Sequence, residues 1–286
     1  MTTPLDALLE ILDLEPIEVN IFRGVSPKER SQRVFGGQVL AQALVAATRT
    51  VEDRLAHSLQ AYFILPGDPK APILYEVDRS RDGGSFTTRR VVAIQHGRPI
   101  FHMGVSFHVH EDGYEHQFDM PSVPMPEDLP PETQMRAEWA KNLPPGLAAH
   151  IMQDRPIESR PVERVDIIKP PKLPPKQHVW IKANGKLPDD PKLHQCILAY
   201  ASDMSLLDTC ILPHGVSWFD GKLITASLDH AMWFHRPFRA DEWLLYAQDS
   251  PTASGGRGFN RGLIHTRAGT LVASVVQEGL IRPKTR

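Results

Sequence analysis

The second half of this 286-residue chain repeats the pattern of the first half. A shift of 171 positions aligns aromatic, proline and arginine residues of the two halves: Tyr62 with Trp233, Phe63 with Phe234, Pro66 with Pro237, Tyr75 with Tyr246 and Arg90 with Arg261. One inserted residue further on, Gly97 aligns with Gly269. Matches in a single register, with the same order of elements, indicate an internal duplication. The chain is therefore expected to fold as two similar units.

Each half has the pattern of a strand, a helix and several antiparallel strands. In the first half a strand is predicted over 17–27 and a helix over 35–51, and further strands begin at His57, Pro72, Ser85 and Pro99. Alternation of apolar residues between Gly, Pro or Asp is typical of strands with one buried face. The order predicts an α+β protein in which each helix is wrapped by its own sheet. Joining the two sheets edge to edge would also protect their open edges.

A proline-rich segment separates the repeats. Between Met120 and Pro175 lie 13 of the 26 prolines of the chain. The segment is too long for an ordinary loop, and its composition is typical of a linker. We therefore expect an N-terminal unit at 1–112, a linker at 113–176 and a C-terminal unit at 177–286. The linker is expected to carry a short helix near 132–141.

The helix of the second half, expected within 189–207, carries an acid beside its buried face. Asp190 suits the N-cap and Pro191 suits the first helical position. Apolar residues recur at helical spacing, and Asp203 falls on the edge of that stripe. A carboxylate near a helix C-terminus opposes the helix dipole, and a half-buried charge needs a partner. Asp203 is therefore a candidate functional residue, the alternative being a water-capped Asp at a frayed end.

Three positions are polar in the second half and apolar in the first. The registers of the strands pair Ser227 with Ala56 and Gln277 with Val105, and alignment of the helices on Gln38 and Gln195 pairs Asp203 with Ala46. Because a buried polar group without partners is destabilising, we expect the three polar side chains to meet one another or a water molecule. Such a site would occur once per chain. The alternative is three unrelated replacements that are each satisfied locally.

Charge and cysteine content narrow the range of partners. The net charge is −2 and no run of basic residues occurs, so we expect neither nucleic acid nor an anionic membrane as a partner. The two cysteines form no CxxC motif or metal-spaced cluster, so neither a disulfide frame nor a metal site is predicted. The sequence shows no segment long enough to span a membrane and no signal-peptide pattern. These features favour a cytoplasmic protein with a small-molecule partner.

Several strings of residues point to one family. They are VFGGQVLAQAL, SLQAYFILPGDPKAPILYEV, DRPIESRPVE, NGKLPDD, AYASDMSLL, LDHAMWFHRPF, SGGRGFNRG and VASVVQEGLI. Together they span nearly the whole chain, and they resemble type II acyl-CoA thioesterases of the TesB kind. The resemblance implies a double hotdog fold, in agreement with the duplication.

The resemblance also implies an activity, the hydrolysis of fatty acyl-CoA without a cofactor, and assembly into a homo-oligomer. The family has a catalytic Asp on the second hotdog helix, a Thr two residues before a DH pair and a Gln in a QEG string. The matching residues here are Asp203, Ser227 and Gln277. Serine in place of threonine keeps the hydroxyl and loses a methyl group. Asp203 would act as a general base on water or orient it, with direct attack by Asp203 as the alternative.

Other residues are candidates for contact with the substrate. Apolar residues near the trio are candidates for an acyl tunnel, the alternative being ordinary packing in the core: Met204, Leu206, Leu207, Met232, Trp233 and Phe234. Arg257 and Arg261 flank the glycines of SGGRGF and are candidates for binding the CoA phosphates, the alternative being a solvated loop. His57, His230 and His235 are candidate bases, each with a structural role as the alternative.

Two other functions compete with hydrolysis. One is non-catalytic binding of acyl-CoA, in which the carboxylate would be dispensable. The other is hydration of an enoyl-CoA on the same fold, which needs an Asp/His dyad at short spacing. The residue five positions after Asp203 is Asp208 rather than His, which argues against a hydratase.

Overall fold

The computed structural model describes residues 2–27 and 33–284. Its helices are α1 (Pro4–Leu12), α2 (Gly36–Thr48), α3 (Glu132–Ala140), α4 (Pro145–Ile151), α5 (Pro191–Ser202) and α6 (Asp208–Ile211). The strands of the first half are β1 (Glu15–Glu18), β2 (Ile21–Gly24), β3 (Leu55–Phe63), β4 (Ile73–Asp82), β5 (Phe86–Gln95) and β6 (Arg98–His108). The later strands are β7 (Ile157–Pro161), β8 (Lys176–Ala183), β9 (Leu223–Ser227), β10 (Asp229–Phe234), β11 (Leu244–Ser254), β12 (Arg257–Thr266) and β13 (Leu271–Pro283).

The strands of the described residues form one 13-stranded sheet. The first half contributes the order β1-β2-β4-β5-β6-β3, and the second half continues with β10-β13-β12-β11-β8-β7, while β9 pairs with β13. The halves meet where β3 and β10 pair antiparallel. The α+β class and the double hotdog fold, two helix-wrapped antiparallel sheets joined in one chain, are thereby confirmed.

The junction between β3 and β10 follows the duplication detected in the sequence. Gln60 lies opposite Ala231, the residue 171 positions further along the chain. The same shift exchanges the flanking pairs, since Ser58 faces Trp233, the counterpart of Tyr62, and Tyr62 faces Asp229, the counterpart of Ser58. A pseudo-twofold axis near Gln60 therefore relates the two halves.

The two central helices, α2 and α5, pack against each other on one face of the sheet. Leu40 and Leu44 of α2 are completely buried, and Ile197 and Leu198 of α5 are nearly so. Burial of this apolar surface is the main force that holds the halves together.

The helix α5 begins where the sequence predicts and ends earlier. Asp190 caps it by accepting a hydrogen bond from the backbone N–H of Lys192 at 2.9 Å, and Pro191 is its first residue. The helix stops at Ser202, with Asp203 as the C-cap, so its predicted extension to Leu207 is wrong. Serine and aspartate bond readily to nearby backbone groups, which favours a helix end at this point.

Other predictions near the ends of the first half and in the linker need correction or extension. Segment 17–27 is not one strand, because β1 and β2 form a hairpin in which Asn20 has a φ of 62°. In the linker, α3 confirms the expected helix, whereas α4 and the strand β7, which pairs with β8, were not predicted. The unit boundaries at residues 112 and 176 stay a prediction.

Within residues 2–27 and 33–284, no helix combines the length and apolar character needed to cross a membrane.

Candidate active site

The three polar residues singled out by the comparison of the halves lie together. Oδ1 of Asp203 accepts a hydrogen bond from Nε2 of Gln277 at 2.5 Å and from Oγ of Ser227 at 3.2 Å. The backbone N–H of Gly37 also donates to this carboxylate. The side chains come from three separate elements, namely the end of α5, β9 and β13.

Strand geometry directs Gln277 and Ser227 toward the helices. Along β13, Ala273, Val275 and Gln277 alternate onto the buried face. Ser227 faces Gly279 on β13, whereas Ala231 faces Val276, so one extra residue is inserted between β9 and β10. This bulge turns Ser227 to the same side as Gln277.

Gln277 retains an unused acceptor at the site. Its side chain is completely buried, and Oε1 has no hydrogen-bond partner among the described residues. A buried carbonyl oxygen without a donor costs about 1–3 kcal/mol, whereas a bound water would satisfy it. Oε1 is therefore available to accept a hydrogen bond beside Asp203.

The N-terminus of α2, from the first half, approaches the carboxylate closely. A Cβ added to Gly36 would lie 2.7 Å from Oδ2 of Asp203, and one added to Gly37 would lie 2.5 Å from the carbonyl oxygen of Tyr200. Only glycine therefore fits at these two positions. The positive end of the helix dipole favours negative charge at this point. The contact of these glycines with Asp203 was not predicted, because it joins opposite halves of the chain.

The environment of Asp203 shifts its titration toward neutral pH. Burial raises the pKa of Asp203 to about 6, and the hydrogen bonds from Gln277, Ser227 and Gly37 partly oppose the rise. As a whole residue, Asp203 is only partly buried. At neutral pH the group is mostly ionised and can accept a proton.

The carboxylate faces a cavity of about 510 Å³ whose walls come from both halves. Apolar and aromatic residues dominate the lining, among them Phe35, Val39, Phe63, Phe101, Met204 and Leu207. Asp208 also lines this cavity, and burial raises the pKa of Asp208 to about 7, while a hydrogen bond with the Trp218 side chain opposes the rise. In the sequence, Asp208 was noted only because it stands where a hydratase would have a histidine.

Most of the residues predicted to bind substrate do not line this cavity. Of the six candidates for the acyl tunnel, Met204 and Leu207 line it, whereas Leu206 and Met232 are completely buried in the core. Trp233 alternates with Met232 on β10 and so lies on the opposite face of the sheet. Phe234 lines a different cavity.

The two arginines predicted to bind phosphate also lie outside the cavity. Nε of Arg257 pairs with Glu278 at 3.0 Å, and Arg261 forms two hydrogen bonds of 2.8 Å with Asp249. The reason is strand alternation, which places both arginines of β12 on the exposed face, away from the helices.

A second cavity, of about 460 Å³, lies at the position related by the pseudo-twofold axis. It is bounded by the start of α5 and the end of β10, as the first is bounded by the start of α2 and the end of β3. His57 and His235 line this second cavity, together with Ala56, the counterpart of Ser227. These two candidate bases are therefore separated from Asp203.

The third candidate base, His230, lies in the core and lines neither cavity. Its Nε2 lies 2.9 Å from Oγ of Ser202, and burial lowers the pKa of His230 to about 3. The imidazole is therefore neutral at physiological pH.

Among the residues that the structure describes, no group of three His, Cys, Asp or Glu side chains is arranged to hold a metal ion.

The sequence of this chain is similar to those of known proteins. Residues 26–108 match the family described as acyl-CoA thioesterase N-terminal domain, and residues 148–280 match the family described as acyl-CoA thioesterase. The chain is 44% identical to acyl-CoA thioesterase 2 of Haemophilus influenzae over 99% of both chains. It is 42% identical to human acyl-coenzyme A thioesterase 8 over 96% of this chain and 88% of that protein.

A solved structure gives the same result at the level of the fold. The crystal structure of an acyl-CoA thioesterase II from Mycobacterium marinum superposes with a TM-score of 0.80, at 45% sequence identity and with 98% of each chain covered. This similarity covers both halves and the segment between them.

Proposed function

This chain belongs to the acyl-CoA thioesterase family, a family of thioester hydrolases, and we propose that it hydrolyses fatty acyl-CoA with a water molecule held by Asp203, Ser227 and Gln277. The observation that supports this proposal is the convergence of both hydrogen bonds on Oδ1 of Asp203, beside the unused acceptor of Gln277. Direct attack by Asp203 is less well supported, because an amide and a hydroxyl beside a carboxylate suit the holding of water.

In the proposed reaction Asp203 takes one proton from the water while the oxygen attacks the thioester carbonyl. Such general base catalysis contributes about 10²- to 10⁴-fold. The tetrahedral intermediate then collapses, the carbon–sulfur bond breaks, and CoA leaves as a thiolate. The proton held by Asp203 returns to solvent or to the thiolate, and the other product is a carboxylic acid.

The surroundings of Asp203 suit the charges that develop. The positive end of α2 lies beside the carboxylate and would stabilise an oxyanion formed nearby. The apolar lining of the cavity suits an alkyl chain, and Arg33 at the same cavity supplies a positive charge of the kind that CoA phosphates require.

The decisive experiment measures thiol release from acyl-CoA substrates of increasing chain length by the wild type and by Asp203→Asn. We expect kcat to fall by about 100-fold or more in the variant. Asp249→Asn serves as the matched control, because Asp249 is an acid of the same half whose partner is Arg261 on the exposed face. An Asp203→Asn enzyme with wild-type kcat would contradict the proposal.

The same assay separates the competing functions. A non-catalytic acyl-CoA-binding protein would bind the substrates without releasing thiol. A hydratase would consume an enoyl-CoA and leave the thioester intact. Homo-oligomeric assembly and a cytoplasmic location are further proposals, to be tested by light scattering and by cell fractionation.

A further inference from the structure

The mechanism proposed above leaves unused the motif that follows Ser227. Asp229 and His230 come directly after the bulge between β9 and β10, two and three residues beyond Ser227. Neither side chain lines the cavity that Asp203 faces. Both nevertheless make hydrogen bonds to residues adjacent in sequence to the other two members of the trio.

Asp229 ties the bulge to β13. Its Oδ1 accepts a hydrogen bond from the backbone N–H of Glu278 at 2.7 Å, and the carbonyl oxygen of Glu278 accepts one from Leu228 at 3.0 Å. Both backbone polar groups of Glu278 are thus fixed by the two residues that follow Ser227. Because Glu278 adjoins Gln277, these bonds set the position of the Gln277 backbone relative to Ser227.

His230 ties the same strand to α5. Its Nε2 lies 2.9 Å from Oγ of Ser202, the residue before Asp203, and that hydroxyl donates to the carbonyl oxygen of Ala199 at 2.9 Å. The Ser202 hydroxyl has one proton, so it accepts from Nε2–H of a neutral His230. The low pKa of the buried imidazole agrees with this assignment. The contact fixes the last turn of α5, where Asp203 begins to leave the helix.

The first half lacks both devices. The counterparts of Asp229 and His230 in the 171-residue register are Ser58 and Leu59. Ser58 faces Ser106 across the β3–β6 pair, and Leu59 is buried in the core. The same fold therefore forms a strand and bulge at this place with serine and leucine at the positions of Asp229 and His230. The Asp229–His230 pair accompanies the trio rather than the fold.

We propose that Asp229 and His230 are positioning residues that hold Gln277 and Asp203 in register with Ser227. This inference rests on the function proposed above. One dipeptide reaches all three members of the trio: Ser227 through its own strand, Gln277 through Glu278, and Asp203 through Ser202. A displacement of about 1 Å at a reacting group can cost about 100-fold in rate, so such fixation matters for kcat.

The test compares Asp229→Ala with Asp229→Asn. We expect Ala to lower kcat by about 10- to 100-fold with KM within about twofold, because the side chain lies outside the cavity. Asparagine keeps an acceptor for the N–H of Glu278, so it should retain most of the wild-type kcat. Ser58→Ala, at the matched position of the first half, should leave kcat unchanged.

The pH profile of kcat separates positioning from a general structural role. The hydrogen bond from Gln277 lowers the pKa of Asp203. If Asp229→Ala displaces Gln277, the apparent pKa of the acid limb rises above that of the wild type. A variant that is merely less stable would keep the wild-type value.

His230→Leu provides a second, independent variant, because the fold already accepts leucine at Leu59. We expect a lower kcat and unchanged KM here too. The proposal is overturned if Asp229→Ala and His230→Leu both keep wild-type kcat and pH profile, or if Asp229→Asn loses as much kcat as Asp229→Ala. If those results are found while Asp203→Asn is inactive, only the positioning role of Asp229 and His230 is rejected. If Asp203→Asn is active, the proposed function itself is rejected.

Discussion

At the scale of single residues, burial lowers the stability of the ionised form of Asp203, the residue proposed above as the base. Burial raises the pKa of Asp203 from 3.8 to about 6, so the ionised form is less favourable in the folded protein than in the unfolded chain. A shift of this size corresponds to about 3 kcal/mol. Residues kept for catalysis commonly carry such a penalty.

The pKa of Asp203 predicts the pH dependence of the reaction. Only the ionised carboxylate can accept a proton, so kcat should rise with pH and reach half of its plateau near pH 6. Initial rates measured between pH 4.5 and 8 under saturating substrate test this. A flat profile across pH 6 would argue against Asp203 as the base.

Stability should depend on pH in the opposite direction. Because the folded-state pKa is raised, the folded protein binds more protons than the unfolded chain between about pH 4 and pH 6. The contribution of this group is therefore fully present below the lower value and lost as the pH rises through the folded pKa. At pH 8, urea denaturation of Asp203→Asn should give a free energy of unfolding at least equal to the wild type and up to about 3 kcal/mol higher. A large loss of stability would contradict this account.

Ser227 offers a further test at this scale. Ser227→Ala removes the hydroxyl that donates to Asp203, so we expect kcat to fall by about 10-fold or more. Ser227→Thr restores the family's usual residue and should keep kcat within a few-fold of wild type. Equal activity of the Ala and Thr variants would show that the hydroxyl is dispensable.

At the scale of elements, the close approach of the α2 N-terminus to Asp203 limits which residue can occupy position 36. Alanine normally stabilises a helix relative to glycine by about 1 kcal/mol. At Gly36 the added methyl group would meet Oδ2 of Asp203 and the ring of Phe63, so the steric conflict outweighs that gain. The helix therefore depends on glycine for its approach to the other half.

We predict that Gly36→Ala lowers kcat by about 10-fold or more and reduces thermal stability. Gly146→Ala in α4 is the matched control, because a Cβ at Gly146 meets nothing within 4 Å. That control should be neutral or slightly stabilising. Thermal melting and initial rates of both variants check the prediction, and a fully active, stable Gly36→Ala enzyme would contradict it.

At the scale of the whole molecule, the site exists only because the two halves are joined. The β3–β10 pairing and the α2–α5 contact bring Gly37 to Asp203, and residues of both halves form the walls of the cavity. The covalent connection between the halves is distinct from these contacts, and its residues from His110 to Asp119 are exposed.

A protease site inserted beside Gly113 tests the importance of that connection. We expect the cleaved chain to elute as one particle and to keep kcat within about threefold, because strand pairing and helix packing hold the halves together. Gel filtration and thiol release from the same sample measure both properties. Separation of the fragments, or loss of activity while they stay associated, would contradict the expectation.

The sequence by itself determined the duplication, the α+β class, the order of most strands and the start of α5. These follow from local periodicity and capping, which act between residues near one another in the chain. It also singled out Asp203, Ser227 and Gln277, because comparison of two copies of a fold exposes polar replacements on a buried face.

Tertiary structure alone decided which residues surround that trio. The contact of Gly36 with Asp203 and the bonds of Asp229 and His230 depend on how distant segments pack. The position of Arg257 and Arg261 on the exposed face depends on strand phase, which a loop motif does not specify. Contacts between halves have no local signature, since residues far apart in sequence are brought together by burial of the shared core.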